Sequence, residues 1–176
     1  FAAEFAGATT IGEDTFRFEE ATLPEALAGR GYHTVCIGGT GFFNKRNRLS
    51  RVLPGFFQES HWSPELGVTD PESEKNQVSL ALETLRSEAP LFLFMNISAL
   101  HQPNWFYGSQ SRGPDTLESH RGALLAVDRA LGELWAALTV RGPAFVMLFS
   151  DHGTAYGEDG KYIPERLEAA RDTFLS

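Results

Sequence analysis

The chain has 176 residues, a formal net charge of −8, 42% hydrophobic and 22% charged residues, and a single cysteine. That length supports one domain, 1–176, burying about 70% of the surface its unfolded chain would expose; the acidic balance excludes a phosphate-backbone binder, which needs surplus Lys and Arg. No apolar run approaches the roughly 20 residues that span a bilayer, and a lone Cys36 excludes an internal disulfide.

Residues 1–18 mix Gly, Thr and aromatics without periodicity and read as coil or a short strand; the opening Phe1 follows no charged and apolar leader, as in a piece of a longer or processed protein. Thr22-Leu23-Pro24-Glu25 starts a helix, with a capping hydroxyl, a first-turn proline and an acid at the positive helix end. Gly29 to Gly31 stop it, and His33-Thr34-Val35-Cys36-Ile37-Gly38 is a short, β-branched, buried strand. Residues 39–68, rich in Gly, Pro and aromatics, form a long loop or insertion with a basic knot at Lys45, Arg46 and Arg48. Asp70-Pro71-Glu72 opens a second helix with a stripe of Val78, Leu82 and Leu85, and Pro90 breaks it. The run 91–97 is apolar until its end, as expected of a strand covered on both faces. A third helix runs from about Thr116 to Val140 with a stripe of Leu117, Leu124, Val127, Leu131, Leu134 and Leu138. Residues 144–149 read as another apolar strand, ending at Ser150-Asp151-His152-Gly153, and 164–175 as a final helix.

Helices alternating with wholly apolar strands predict an α/β domain, a mostly parallel sheet sandwiched between helices. Ligands in such sheets bind beyond the carboxyl ends of the strands, which selects 38–45, 96–105 and 150–159.

Asp151-His152 is the sharpest candidate there. A carboxylate and an imidazole at the end of a buried strand suit Zn²⁺ or Mn²⁺, and the carboxylate also suits Ca²⁺. The bland alternative is a strand-end Asp capping a turn beside an exposed His. His101, in a loop stiffened by Pro103, either contacts an oxyanion and protonates a leaving oxygen or is an ordinary loop histidine. Gly38-Gly39-Thr40-Gly41 resembles an anion-cradling nest but lacks the Lys-Ser/Thr of a P-loop. The basic knot is either a solvated loop or a lure for an anionic substrate. Asp128, spaced to share the side of Leu124 and Leu131, needs a hydrogen-bond partner such as a site histidine, unless it sits at a wet margin. His33, His61 and His120 read as structural, and Cys36 as a small buried hydrophobe rather than a nucleophile.

Together, and in this order, the pieces resemble the sulfatase-like hydrolases of the alkaline phosphatase superfamily. The stretches that carry the resemblance are Thr22 to Thr34 with its Gly31-Tyr32-His33-Thr34, then Ile37-Gly38-Gly39, then His101-Gln102-Pro103-Asn104. Val127-Asp128-Arg129-Ala130-Leu131-Gly132 and Ser150-Asp151-His152-Gly153 complete them. The match spans roughly residues 20–160. The resemblance implies a metal-dependent hydrolase of small sulfate or phosphate esters, with Asp151 and His152 as ligands of a divalent ion (Zn, Mn or Ca). It implies that His101 and Lys161 contact the anion, that His101 assists the leaving group, and that Asp128 supports the site. Departures accompany it. The family's N-terminal Asp ligands and its Cys, Ser or Thr nucleophile are not visible, Gly39-Thr40 replaces the expected Lys, and no histidine follows Asp159.

The expectation is therefore a partial sulfatase-like catalytic domain, inactive alone, with neither nucleic acid nor membrane as partner. The lone cysteine leans toward the cytoplasm. The alternatives are a degenerate, non-catalytic module with a binding or assembly role, and an unrelated doubly wound domain with a coincidental Asp-His-Gly.

Overall fold

The structure, a computed structural model, describes residues 2–3, 15–16, 21–108 and 113–156. Two short strands, β1 (Ala2–Ala3) and β2 (Thr15–Phe16), pair in parallel. The main sheet is also all parallel: β3 (His33–Ile37) lies between β4 (Glu59–His61) and β5 (Leu91–Met95), with Ile37 level with His61 on one side and Met95 on the other. Helices α1 (Leu23–Ala28), α2 (Val52–Gly55), α3 (Ser73–Thr84) and α4 (Leu117–Arg141) complete the α/β architecture. Among the described residues no helix is long and apolar enough to cross a membrane.

Val35, Cys36 and Ile37 of the middle strand are wholly buried, because both faces of β3 are covered. Ile37, Leu93 and Met95 point to one side, where Leu66, Val78, Ala81 and Leu134 of the α3–α4 layer close the core. On the other side Phe57 stacks on Phe92 at 5.9 Å and Phe43 tilts against Phe94 at 5.9 Å. The apolar 39–68 segment thus folds back as the second cover of the sheet. It also supplies β4, which its Gly-, Pro- and aromatic-rich composition had disguised as loop. Burying Val35 and Ile37 is worth about 1.5–3 kcal/mol each.

The helix starts follow their local chemistry. Glu25 accepts from the Thr22 N–H (2.8 Å) and hydroxyl (2.6 Å), and those bonds hold its carboxyl below the usual carboxylate range. At α4 the Thr116 hydroxyl accepts from Ser119 N–H (3.1 Å) while the Ser119 hydroxyl accepts from Thr116 N–H (2.8 Å). The far end of α4 is tied down by Arg141, whose guanidinium donates to the carbonyls of Leu85, Ser87 and Ala89 between α3 and β5.

Two expectations are corrected. The α4 face that packs inward is Ser119, Ala123, Val127 and Leu134, flanked by Ala130, Leu131 and Leu138, while Leu117 and Leu124 are exposed. The reason is closeness of approach: a β-carbon at Gly122 would fall 2.1 Å from the Tyr107 carbonyl oxygen, so only small residues fit this end of the helix. Residues 144–149 do not join the sheet. They carry no regular structure, and Phe145, Met147, Leu148 and Phe149 are all exposed. Strand propensity is realised only against a hydrogen-bonding neighbour, and the described ladder ends at β5. The helix read at 164–175 lies outside the described residues.

Gly122→Ala should destabilise the protein by about 1–3 kcal/mol in urea unfolding, as overpacking does. Gly132→Ala, where nothing lies within 4 Å of the new methyl, should leave stability unchanged or raise it by up to about 1 kcal/mol. Equal effects at the two sites would contradict the close contact.

Candidate active site

Where β3 and β5 leave the ladder, their backbone groups need new partners. Asn96 supplies them. Its N–H donates to the Ile37 carbonyl (2.9 Å), and its Oδ1 accepts from the N–H groups of Gly39 (3.3 Å) and Thr40 (3.0 Å). Fully buried Gln77 braces the same turn from α3: its Nε2 donates to the Asn96 carbonyl (2.7 Å) and its Oε1 accepts from Ser98 N–H (3.2 Å). A β-carbon at Gly39 would sit 2.5 Å from the Asn96 carbonyl oxygen, and one at Gly38 would sit 2.1 Å from Phe43 Cβ. The two glycines therefore serve close packing. The anion nest read at 38–41 is corrected on the same ground, since its Gly39 and Thr40 N–H groups are already engaged by Asn96.

The basic knot is partly engaged as well. Lys45, in the left-handed region at φ 59°, donates from Nζ to the Ser60 carbonyl, and the Arg46 guanidinium lies 5.1 Å over the Trp62 ring. Lys45, Ser60, His61, Trp62, Ser63, Leu66 and Leu80 line a hollow of about 320 Å³ that includes neither His101 nor Asp151. His33 Nε2 lies 3.1 Å from the Glu59 carboxylate, a contact that ties β3 to β4, and His61 Nε2, within β4, lies 2.7 Å from the same carboxylate. Burial pushes the Cys36 thiol up to about 12, which leaves it without thiolate character.

His101 stands exposed on the loop after β5. Its Nδ1 lies 2.6 Å from the Gln102 carbonyl. A carbonyl only accepts, so Nδ1 carries a proton, and in the neutral ring Nε2 then presents the lone pair. His152 repeats the arrangement with Nδ1 2.9 Å from the Gly153 carbonyl. Beside it, Asp151 Oδ1 accepts from His152 N–H (3.1 Å), and Oδ2 lies 3.9 Å from His152 Nε2. Both side chains are open to solvent, Asp151 at 85% and His152 at 71%. Among the described residues no three His, Cys, Asp or Glu side chains close around a metal ion, so this pair contributes two donors. Asp128 is on the exposed side of α4 and bonds to no described residue. Lys161 lies outside the described residues.

A second polar node joins the His101 loop to the Asp151 segment. Asn104, fully buried, receives the Ser119 hydroxyl on Oδ1 (2.6 Å) and donates its backbone N–H to Asp115 (2.7 Å). Its Nδ2 donates to the Tyr156 hydroxyl (2.9 Å), which also meets His120 Nδ1 (2.9 Å). Tyr107, at the end of the same loop, donates to the buried Glu74 (2.6 Å); burial and that carboxylate both push its phenol up. Asn96, Gln77, Asn104, Ser119 and Tyr156 were not singled out from the sequence. The available signals were a glutamine beside Val78 on the buried side of α3 and two asparagines bracketing His101.

The chain matches the sulfatase family model over residues 2–172. No curated protein and no solved structure matches it.

Asn96→Ala should cost about 1–3 kcal/mol, because it strips the acceptor from two N–H donors, and should speed amide exchange at Gly39 and Thr40. Exchange unchanged at both amides would dismiss the junction. Cys36 should resist iodoacetamide at pH 8 until the protein is unfolded; rapid alkylation of the native protein would contradict its burial.

Proposed function

The chain belongs to the sulfatase family, and we propose that it carries part of the active site of a metal-dependent hydrolase of sulfate or phosphate esters. The observation that carries this reading is a pair of histidines, His101 after β5 and His152 beside Asp151, each with Nδ1 turned to a carbonyl so that in the neutral ring Nε2 carries the lone pair. A bare Nε2 is the form that ligates a metal or takes a proton.

In this reading Asp151 and His152 hold a divalent cation, for which a carboxylate and a neutral imidazole are a suitable donor set. Bound there, the cation supplies Lewis-acid polarisation of the ester's non-bridging oxygens. The Asp151 carboxylate keeps Oδ2 available because its bond to His152 N–H uses Oδ1. His101 faces the ester from the β5 loop; once protonated, its Nε2–H donates to the sulfate or phosphate or hands the proton to the leaving oxygen. Lys161 adds a cation for the same anion.

The alternative is a degenerate module that binds or assembles without catalysis. The exposure of Asp151 and His152, and the lack of a third donor beside them among the described residues, favour it. Either way, two donors make a weak site, and we expect no ester hydrolysis by this chain alone.

Calorimetry decides between the readings. Mn²⁺ or Zn²⁺ should bind the wild-type chain, binding should be lost in Asp151→Ala, and affinity should fall on acidification because the imidazole must be neutral to ligate. Binding that survives Asp151→Ala, or no binding to the wild type, would reject Asp151 and His152 as ligands.

A further inference from the structure

Residues 144–149 carry no ladder bonds, and the bonds of Ser150, Asp151 and His152 close on their own segment: Ser150 Oγ donates to the His152 carbonyl, His152 N–H to Asp151, and His152 Nδ1 to Gly153. Among the described residues, the hydrogen bonds that fasten this segment to the rest of the protein run through Tyr156. Its ring also lies 5.4 Å from that of His120, tilted by 52°.

The receiving node is already built. Asn104 is wholly buried, and its Oδ1 is taken by the hydroxyl of Ser119, itself fixed in the α4 capping box. With Oδ1 so assigned, Nδ2 can only donate, and the Tyr156 oxygen accepts it. The Tyr156 oxygen also lies within hydrogen-bond distance of His120 Nδ1 (2.9 Å). Removal of the hydroxyl strands the buried amide and leaves the His120 nitrogen without this partner.

The node also sets distance. Asn104 is three residues after His101, and Tyr156 four after His152. At the reach of about 3.3–3.6 Å per extended residue, the Cα atoms of His101 and His152 lie within roughly 11 and 14 Å of those of Asn104 and Tyr156, which share one hydrogen bond. We propose that Tyr156 is a positioning residue, whose hydroxyl latches the segment bearing Asp151 and His152 onto Asn104 and His120 and so holds those donors beside the His101 loop. The latch rests on the reading of that pair as metal ligands for its purpose, but not for its existence.

Three measurements on the whole chain test it. Tyr156→Phe keeps the ring and deletes the hydroxyl; exposed Tyr32→Phe serves as control. In Tyr156→Phe, amide exchange at residues 150–155 should accelerate at least about tenfold while residues 123–134 of α4 keep their protection. Mn²⁺ affinity should drop about five- to tenfold in Tyr156→Phe and stay unchanged in Tyr32→Phe. Unchanged exchange overturns the latch. Faster exchange with undiminished Mn²⁺ affinity overturns the positioning role. Absence of Mn²⁺ binding to the wild type refutes the metal reading and with it the positioning role, while exchange still decides whether the latch exists. Should Tyr156→Phe fail to fold, the ¹⁵N spectrum of His120 in the wild type decides instead: a hydrogen-bonded Nδ1 supports the latch, and an Nδ1 without a hydrogen bond overturns it.

Discussion

The organisation of this protein's strand ends depends on one requirement: backbone groups released from a buried parallel ladder must find partners where water is scarce. Asn96 meets it by continuing the ladder with its N–H to Ile37 while its side chain mimics a further strand residue toward Gly39 and Thr40. Gln77 then locks the carbonyl of Asn96 and the amide of Ser98 from the helix above. Because this junction is so tight, glycine is required at 38 and 39, where a side chain would strike Phe43 or the Asn96 backbone. A long side chain at position 39 would have to displace the asparagine.

What could be read from the sequence was what local chemistry decides. The apolar runs at 33–38 and 91–97, the caps at Thr22 and Thr116, and the alternation that makes the fold α/β all depend on neighbours in sequence. What escaped depends on partners distant in sequence. β4 is a strand because Val35, Cys36 and Ile37 accept it as a neighbour, not because Glu59-Ser60-His61 has an apolar pattern. The run at 144–149 has the opposite character: strong strand composition and no described neighbour. On α4, size outweighed hydropathy. Leu117 and Leu124 suit a core in composition, yet the helix meets the 105–107 turn so closely that Ser119 and Ala123 go inside.

The same division holds for the site. The candidate residues His101, Asp151 and His152 could be named from their positions after apolar runs, although the second run forms no described strand. Which ring nitrogen each histidine presents could not, because it is set by carbonyl contacts with Gln102 and Gly153 that only the folded turns create. Nor could the polar frame around them, since Asn104, Ser119, His120 and Tyr156 are dispersed over fifty residues of sequence and converge only after α4 docks.

Two asparagines bracket the loop that carries His101, and they secure it at both ends. Asn96 binds its start to β3 and α3, and Asn104 binds its close to the first turn of α4. An exposed imidazole on such a loop keeps its direction without being buried, which is the condition for a preorganised acid or anion contact. Asp151 and His152 are secured differently, from one side by Tyr156, with the apolar run before them outside the sheet. A donor pair fixed at one end loses conformational freedom when it closes on an ion, and that loss weakens binding. The contrast in support between the two histidines bears on the proposed function: on that reading His101 is held ready for its contact, whereas the affinity of the Asp151-His152 pair depends on what orders its segment, the Tyr156 contacts included.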